Sequence, residues 1–226
     1  MIEVSGLYKI YHMGSVEVPA LRGVTFAVYP GDFIGLMGPS GSGKSTLLHL
    51  LGMLDYPTKG RILIDGTDIS TLNDDERTEF RLNKMGYIFQ EYALVPELTV
   101  FENVALTAMA QGKRDEEVRK ASEEVLGIVG LSLRLSHLPG ELSGGEQQRV
   151  AIARSMVNRP LILFADEPCA NLDSENSRVV LEKFHAINIE LGQTIVMVSH
   201  EEWHKEYFHR IIYLKDGQIE REERQE

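Results

Sequence analysis

A single cysteine, Cys169, is all that the chain carries, so an intrachain disulfide framework and a cysteine-based metal cluster are both excluded. That scarcity suits a reducing compartment. No run of about 18 consecutive apolar residues occurs, so no segment reads as a membrane-spanning helix. The opening MIEVSGLYKIYHMG is broken by Glu3, Lys9 and glycines and lacks the apolar stretch of a secretion signal. A membrane role therefore has to come through a partner, and the chain itself reads as cytoplasmic. Positive charge is also short: 23 Lys and Arg stand against 34 Asp and Glu, a formal net charge of -11. An acidic surface works against binding along a nucleic-acid backbone, which needs Lys and Arg to neutralise its phosphates, so no nucleic-acid partner is expected. Tandem repeats, low-complexity linkers and heptad-rich insertions are missing as well.

What is present is the material of one compact domain: 226 residues, 43% of them hydrophobic and 25% charged. Short apolar runs alternate with helical stretches, the pattern of an α/β protein with a mainly parallel sheet. Strand-like runs fall at Thr25–Tyr29, Asp32–Met37 and Arg61–Ile64, parted by turn signals at Pro30-Gly31 and Asp65-Gly66. Leucine-rich Lys44–Leu54 and polar Thr71–Lys84 read as helices, the second leading into a strand at Tyr87–Phe89. From Thr99 to about Asn158 no strand is evident, and the stretch reads as helical with a break near Pro139-Gly140. Strand signals return at Leu161–Ala165, Thr194–Ser199 and Arg210–Leu214. A turn at Lys215-Asp216-Gly217 then leads to a short last strand and a charged tail, Glu220–Glu226, expected to fray. The outline is one domain over 1–226, with a core of approximately 1–92 and 159–226 and a helical subdomain of approximately 93–158.

Gly38-Pro39-Ser40-Gly41-Ser42-Gly43-Lys44-Ser45-Thr46 fits the phosphate-loop pattern G-x-x-x-x-G-K-[ST], with an apolar strand before it and a helix after it. Glycines let the backbone wrap tightly and aim N–H groups at phosphate oxygens, and the helix start adds its positive dipole end. Lys44 is expected to reach the β and γ phosphates of a nucleoside triphosphate, and Ser45 to place its hydroxyl on Mg²⁺. Leu161–Glu167 is an apolar run ending in two carboxylates, and α/β sheets place ligand chemistry at such strand ends. Asp166 suits Mg²⁺ binding through water or through a direct ligand of the ion, and Glu167 suits the general base that orients the attacking water. Alone, a strand-end acid often does no more than cap a helix; beside the phosphate loop the pair gains its meaning.

Leu142-Ser143-Gly144-Gly145-Glu146-Gln147-Gln148-Arg149 resembles the LSGGQ signature of the ABC (ATP-binding cassette) ATPases, with Glu146 where glutamine is commoner. A Ser-Gly-Gly run opening a helix makes sense as a second anion site, whereas a plain loop and N-cap accounts for Ser143 alone. Other landmarks of that family occur in order. Tyr11 stands where an aromatic stacks on adenine, with Tyr8 as the neighbouring alternative. Gln90 matches the Q-loop glutamine that senses Mg²⁺ and the attacking water, Ala170–Asp173 matches the D-loop, and His200 matches the switch histidine.

The resemblance covers nearly the whole chain. It implies the ABC ATPase form of the P-loop NTPase fold, a mainly parallel core sheet with an antiparallel β subdomain and a helical subdomain. It also implies a head-to-tail homodimer sandwiching two ATP molecules, each held between one subunit's phosphate loop and the other's Ser143, Gly144, Gly145 and Glu146. Glu167 would polarise the water, His200 would contact the γ-phosphate, Asp173 would couple the two sites, and Ser45, Gln90 and Asp166 would serve Mg²⁺. A separate integral membrane permease would dock near Gln90–Val104, holding the ATPase at the inner face of the membrane.

Gly52–Gly60 and Leu94–Val104 narrow the likeness to the lipoprotein-release and macrolide-export group, with Cys169 and Ser199 each standing where threonine is usual. Two other readings use the same residues or class: an ABC ATPase that regulates a membrane protein without transport, and a soluble non-transport ABC protein. His200-Glu201-Glu202-Trp203-His204 also satisfies the zinc-protease pattern H-E-x-x-H, which needs both histidines on one helix face. His200 directly follows an apolar strand, which favours the switch histidine. His12, His49, His137, His185 and His209 lack motif context and read as structural or surface residues, and Cys169 reads as packing.

Overall fold

The computed structural model describes residues 1–225, and Glu226, the end of the expected charged tail, lies outside the described residues. The chain begins with two long strands, β1 (Ile2–Met13) and β2 (Val16–Val28), paired antiparallel. Only the end of β2 was expected from the sequence. β1 buries Ile2 and Val4, then shifts parity to bury Leu7 and Lys9. The break is a bulge around Gly6, whose φ is 53°, and a bulge disrupts the period-two pattern by which strands are recognised.

β3 (Phe33–Met37) follows, every residue buried, and leads through the phosphate loop into α1 (Lys44–Leu51). The helix stops three residues before the expected Leu54, where Met53 takes a φ of 58°. β4 (Lys59–Ile64) and β5 (Thr67–Asp68) complete a four-stranded antiparallel sheet in the order β2-β1-β4-β5. α2 (Asp74–Lys84) starts on a capping box between Asn73 and Glu76, later than the expected Thr71. β6 (Met85–Ile88) comes next. Then α3 (Val100–Ala110), α4 (Asp115–Ile128) and α5 (Gly144–Met156) occupy the chain until β7 (Ile162–Asp166). α6 (Ser174–Leu191), β8 (Thr194–Val198), β9 (Arg210–Lys215) and β10 (Gln218–Arg224) close the sequence.

The second sheet has six strands in the order β10-β9-β3-β8-β7-β6. All its neighbours pair parallel except the edge strand β10. Strands buried on both faces read as unbroken apolar runs, as β3 and β8 do. Alternate residues feed two cores. Phe33 and Met37 of β3, with Ile195 and Met197 of β8, join a core shared with α3 to α6. Ile34 and Leu36, with Val196 and Val198, pack against α1 and the antiparallel sheet. α1 is thus wedged between the sheets by Leu47, Leu48, Leu50 and Leu51, and its N-terminus is fixed above the ends of β3 and β7. Among the described residues no helix is long and apolar enough to cross a membrane.

Candidate active site

The loop between β3 and α1 is forced into its path by close backbone approach. Gly38 has a φ of 139°, and a Cβ there would lie 2.1 Å from the Leu214 carbonyl oxygen. Gly43 has a φ of 101°, and its Cβ would fall 2.6 Å from the Ala20 carbonyl oxygen. Only glycine fits both the space and the left-handed conformation. Gly43 is the N-cap of α1 and makes no side-chain cap, so the first N–H groups of the helix stay free for an anion.

Gly38, Pro39, Ser40, Gly41, Gly43, Lys44, Ser45 and Thr46 line a cleft of about 870 Å³, which Glu167 and His200 also line. Ser42, the remaining residue of the loop, is not among these lining residues. Its side chain is buried beneath the loop, and its backbone bridges the Pro39 carbonyl and the Gly217 N–H, so it braces the loop and does not face the cleft. Lys44 Nζ donates to the carbonyls of Gly38 and Pro39 at 2.9 Å each. Burial lowers the pKa of Lys44, and the carboxylates of Glu167 and Asp166 oppose that shift.

Asp166 ends β7, and Ser45 Oγ donates to its Oδ1 at 3.0 Å. Glu167 holds a φ of 46°, a strained conformation of the kind that gathers at functional sites. Its Oε2 lies 3.5 Å from His200 Nδ1, two residues past the end of β8. Parallel neighbours β7 and β8 therefore deliver acid and histidine side by side. Gln90, just after β6, shares a second depression with Asp166, and its carbonyl accepts from Asn171 Nδ2 at 3.2 Å.

Other expected site residues stand apart from this cleft. Tyr11 is more than a third exposed, donates its hydroxyl to Asp55 Oδ2 at 2.9 Å, and has Lys9 Nζ 4.7 Å from its ring centre. Burial raises its pKa, as does Asp55, while a hydrogen bond with Thr46 of the phosphate loop opposes them. Tyr8 is committed elsewhere: its ring lies over Gly23, where a Cβ would meet Oη at 2.9 Å.

Ser143 caps α5 by accepting from Glu146 N–H at 3.3 Å, and Glu146 Oε2 accepts Ser143 N–H at 2.9 Å. Neither they nor Gly144 and Gly145 line the phosphate cleft of their own chain. A Cβ on Gly144 would come 2.8 Å from Tyr92 Oη, and one on Gly145 would come 2.4 Å from Asn176 Oδ1. Asp173 caps α6 and grips Asn176 twice, through its N–H and its Nδ2, both at 2.8 Å. The D-loop is thereby packed against the signature turn.

His49, read from the sequence as structural or surface, lies beside an expected site carboxylate. Its Nε2 lies 3.2 Å from Asp166 Oδ2. The available signal was spacing: Ser45 and His49 are i and i+4 on one face of α1, and both meet the same carboxylate. The zinc-protease pattern dissolves in three dimensions. His200 faces Glu167, whereas His204 is buried in a short turn with Nδ1 2.7 Å from Ser199 Oγ. Burial pushes the pKa of His204 down to about 4.

A loop-to-helix phosphate cradle, strand-end carboxylates and a facing histidine define a hydrolase of nucleoside triphosphates. The family model described as ABC transporter matches residues 21–170. The chain is 47% identical to the lipoprotein-releasing system ATP-binding protein LolD of Aquifex aeolicus, over 88% of each. It is 44% identical to the macrolide export ATP-binding/permease protein MacB of Syntrophobacter fumaroxidans, over 98% of this chain and 31% of that protein. The dimeric ABC transporter cassette MJ0796 of Methanocaldococcus jannaschii is 42% identical with a TM-score of 0.91, covering 99% of this chain and 98% of that one. The same cassette is solved in a post-hydrolysis state bound to ADP and Pi. The chain belongs to the ABC transporter family, as an ATP-binding and ATP-hydrolysing cassette.

Proposed function

We propose that two copies of this chain close head to tail around two ATP molecules and drive a separate membrane permease of the lipoprotein-release or macrolide-export type. One observation carries this reading. Lys44, Ser45, Glu167 and His200 share a cleft, while the second anion-binding turn, Ser143–Gly145, lies outside it. One chain thus offers two half-sites, and a second copy completes each.

In the closed site the loop N–H groups and Lys44 hold the triphosphate, which costs little reorganisation because the loop is pre-shaped. Glu167 orients the attacking water and accepts its proton as the water oxygen bonds to the γ-phosphorus and the bond to ADP breaks. His200 holds the γ-phosphate from the side of β8. Ser45 and Asp166, bonded to each other, with Gln90 alongside, are the hard oxygen donors that suit Mg²⁺. When bound there, Mg²⁺ neutralises phosphate charge. Asp173 transmits the state of one site to the other through Asn176 and the signature turn. A permease docked near Gln90–Val104 would keep the ATPase at the cytoplasmic face of the membrane.

The test is Glu167→Gln. Turnover should fall by about a thousandfold, while ATP binding persists and a dimer accumulates in sedimentation with ATP. Wild-type turnover by this variant would remove Glu167 from its role, and a monomer at saturating ATP would overturn the sandwich. Co-purification from membranes of the native host should bring down a permease with few spanning helices and a large external domain.

A further inference from the structure

Glu146 puts a carboxylate into the turn that has to receive a polyanion. In the first turn of a helix such a charge favours the dipole and closes the capping box. It also sits beside the Gly144 and Gly145 N–H groups, which by their position have no partner inside the helix. Both carboxylate oxygens are occupied: Oε2 by Ser143 N–H at 2.9 Å, and Oε1 by Arg134 Nε at 3.1 Å. The Ser143 N–H, burial notwithstanding, and the Arg134 guanidinium hold the Glu146 pKa below the usual carboxylate range. Arg134 arrives from the loop between α4 and α5, with Nη1 3.3 Å from His137 Nε2.

As a brace for the fold this pair has little to offer. The Arg134 side chain is 46% exposed, and ion pairs of that exposure contribute only slightly to stability. As an electrostatic device it matters more, because an unpaired carboxylate at this turn would repel an approaching γ-phosphate across a short, partly desolvated gap.

We propose that Arg134 is a positioning residue for the signature turn: it neutralises Glu146 and keeps the carboxylate folded back on Ser143, so that the α5 N-terminus can close on ATP held by a second copy. The inference rests on the head-to-tail dimer proposed above. It explains how a glutamate is accommodated where glutamine is the commoner residue.

The test uses the full chain carrying Glu167→Gln, with ATP-driven dimerisation followed by sedimentation. Adding Arg134→Ala should raise the ATP concentration for half-dimerisation by about tenfold, equivalent to about 1.4 kcal/mol. Its melting temperature should move by less than about 3 °C. Arg134→Lys should retain most of the dimer, since it keeps the charge. In the Glu146→Gln background, adding Arg134→Ala should cost no more than about threefold, because no carboxylate is left for the arginine to neutralise. If Arg134→Ala costs as much in that background as in the parent, the arginine acts on the nucleotide or the loop and not on Glu146, and the proposal falls. It falls equally if Arg134→Ala dimerises as well as the parent. A parent that fails to dimerise at all condemns the sandwich itself, which separates the two failures.

Discussion

Two glycine-bearing turns, Gly38–Gly43 and Ser143–Gly145, each open a helix, and they are built on opposite principles. At Gly38–Gly43 the glycines answer to the backbone: φ is positive at Gly38, Gly41 and Gly43, and the helix N-cap carries no side-chain cap. At Ser143–Gly145 the cap is an ordinary capping box, and the glycines answer to neighbouring side chains, Tyr92 and Asn176. The first turn brings its own cation, Lys44, inside the loop. The second brings a carboxylate and borrows Arg134 to offset it. Under the proposed sandwich, a turn of the first kind would bind a triphosphate alone, whereas one of the second kind would complete a site already occupied. The local stereochemistry of each turn matches that division of labour between two subunits.

The sharpest break of this comparison is Lys44→Ala. Removing the loop's own cation should weaken ATP binding and lower turnover by about a hundredfold or more. Nucleotide titration and steady-state hydrolysis measure both. Unchanged affinity would mean that the backbone cradle suffices without its cation, and the two turns would then differ less than their geometry says.

Gly145→Ala probes the other turn and should act differently. Gly145 is not among the residues of positive φ, so the backbone tolerates alanine, but the new Cβ meets Asn176 Oδ1 at 2.4 Å. ATP affinity of the single chain should stay within about twofold, while turnover falls by about tenfold because the half-sites close poorly. Adding Asn176→Ala makes room for the methyl and should recover part of the loss. A Gly145→Ala variant with weakened ATP binding in the monomer would contradict the division of labour.

How much of this was legible beforehand follows the range of the contacts. The phosphate loop and the strand-end acids are contiguous strings that residue type and spacing reveal, and the signature is a contiguous string legible through its resemblance to a family motif. β1 was hidden because the bulge at Gly6 breaks its alternation, and its second partner β4 is remote in sequence. Ser42 fits the motif string yet turns inward, because the chain must anchor the loop to the Gly217 turn. The packing of Tyr92 on Gly144, and of Asn176 on Gly145, joins segments that no local pattern connects. The pairing of Arg134 with Glu146 has no periodic signature either, since it joins a loop to the start of a helix.

His49 illustrates the boundary and gives the mildest test on the phosphate-loop side. Ser45 Oγ donates to one oxygen of Asp166 at 3.0 Å, and His49 Nε2 lies 3.2 Å from the other, so α1 holds the carboxylate at both ends. The side chain is 38% exposed and water can replace it in part, which keeps the expected loss small. If Asp166 serves Mg²⁺ as proposed, His49→Ala should leave ATP affinity without Mg²⁺ unchanged and raise the Mg²⁺ concentration for half-maximal hydrolysis by about threefold, less than the roughly tenfold or more that losing an ordered outer partner costs, because this side chain is exposed. His49→Gln, whose side-chain amide can donate to Asp166, should restore most of the Mg²⁺ response. If both variants titrate with Mg²⁺ like the parent, Ser45 alone orients Asp166, and the cradle depends on α1 only through its first turn.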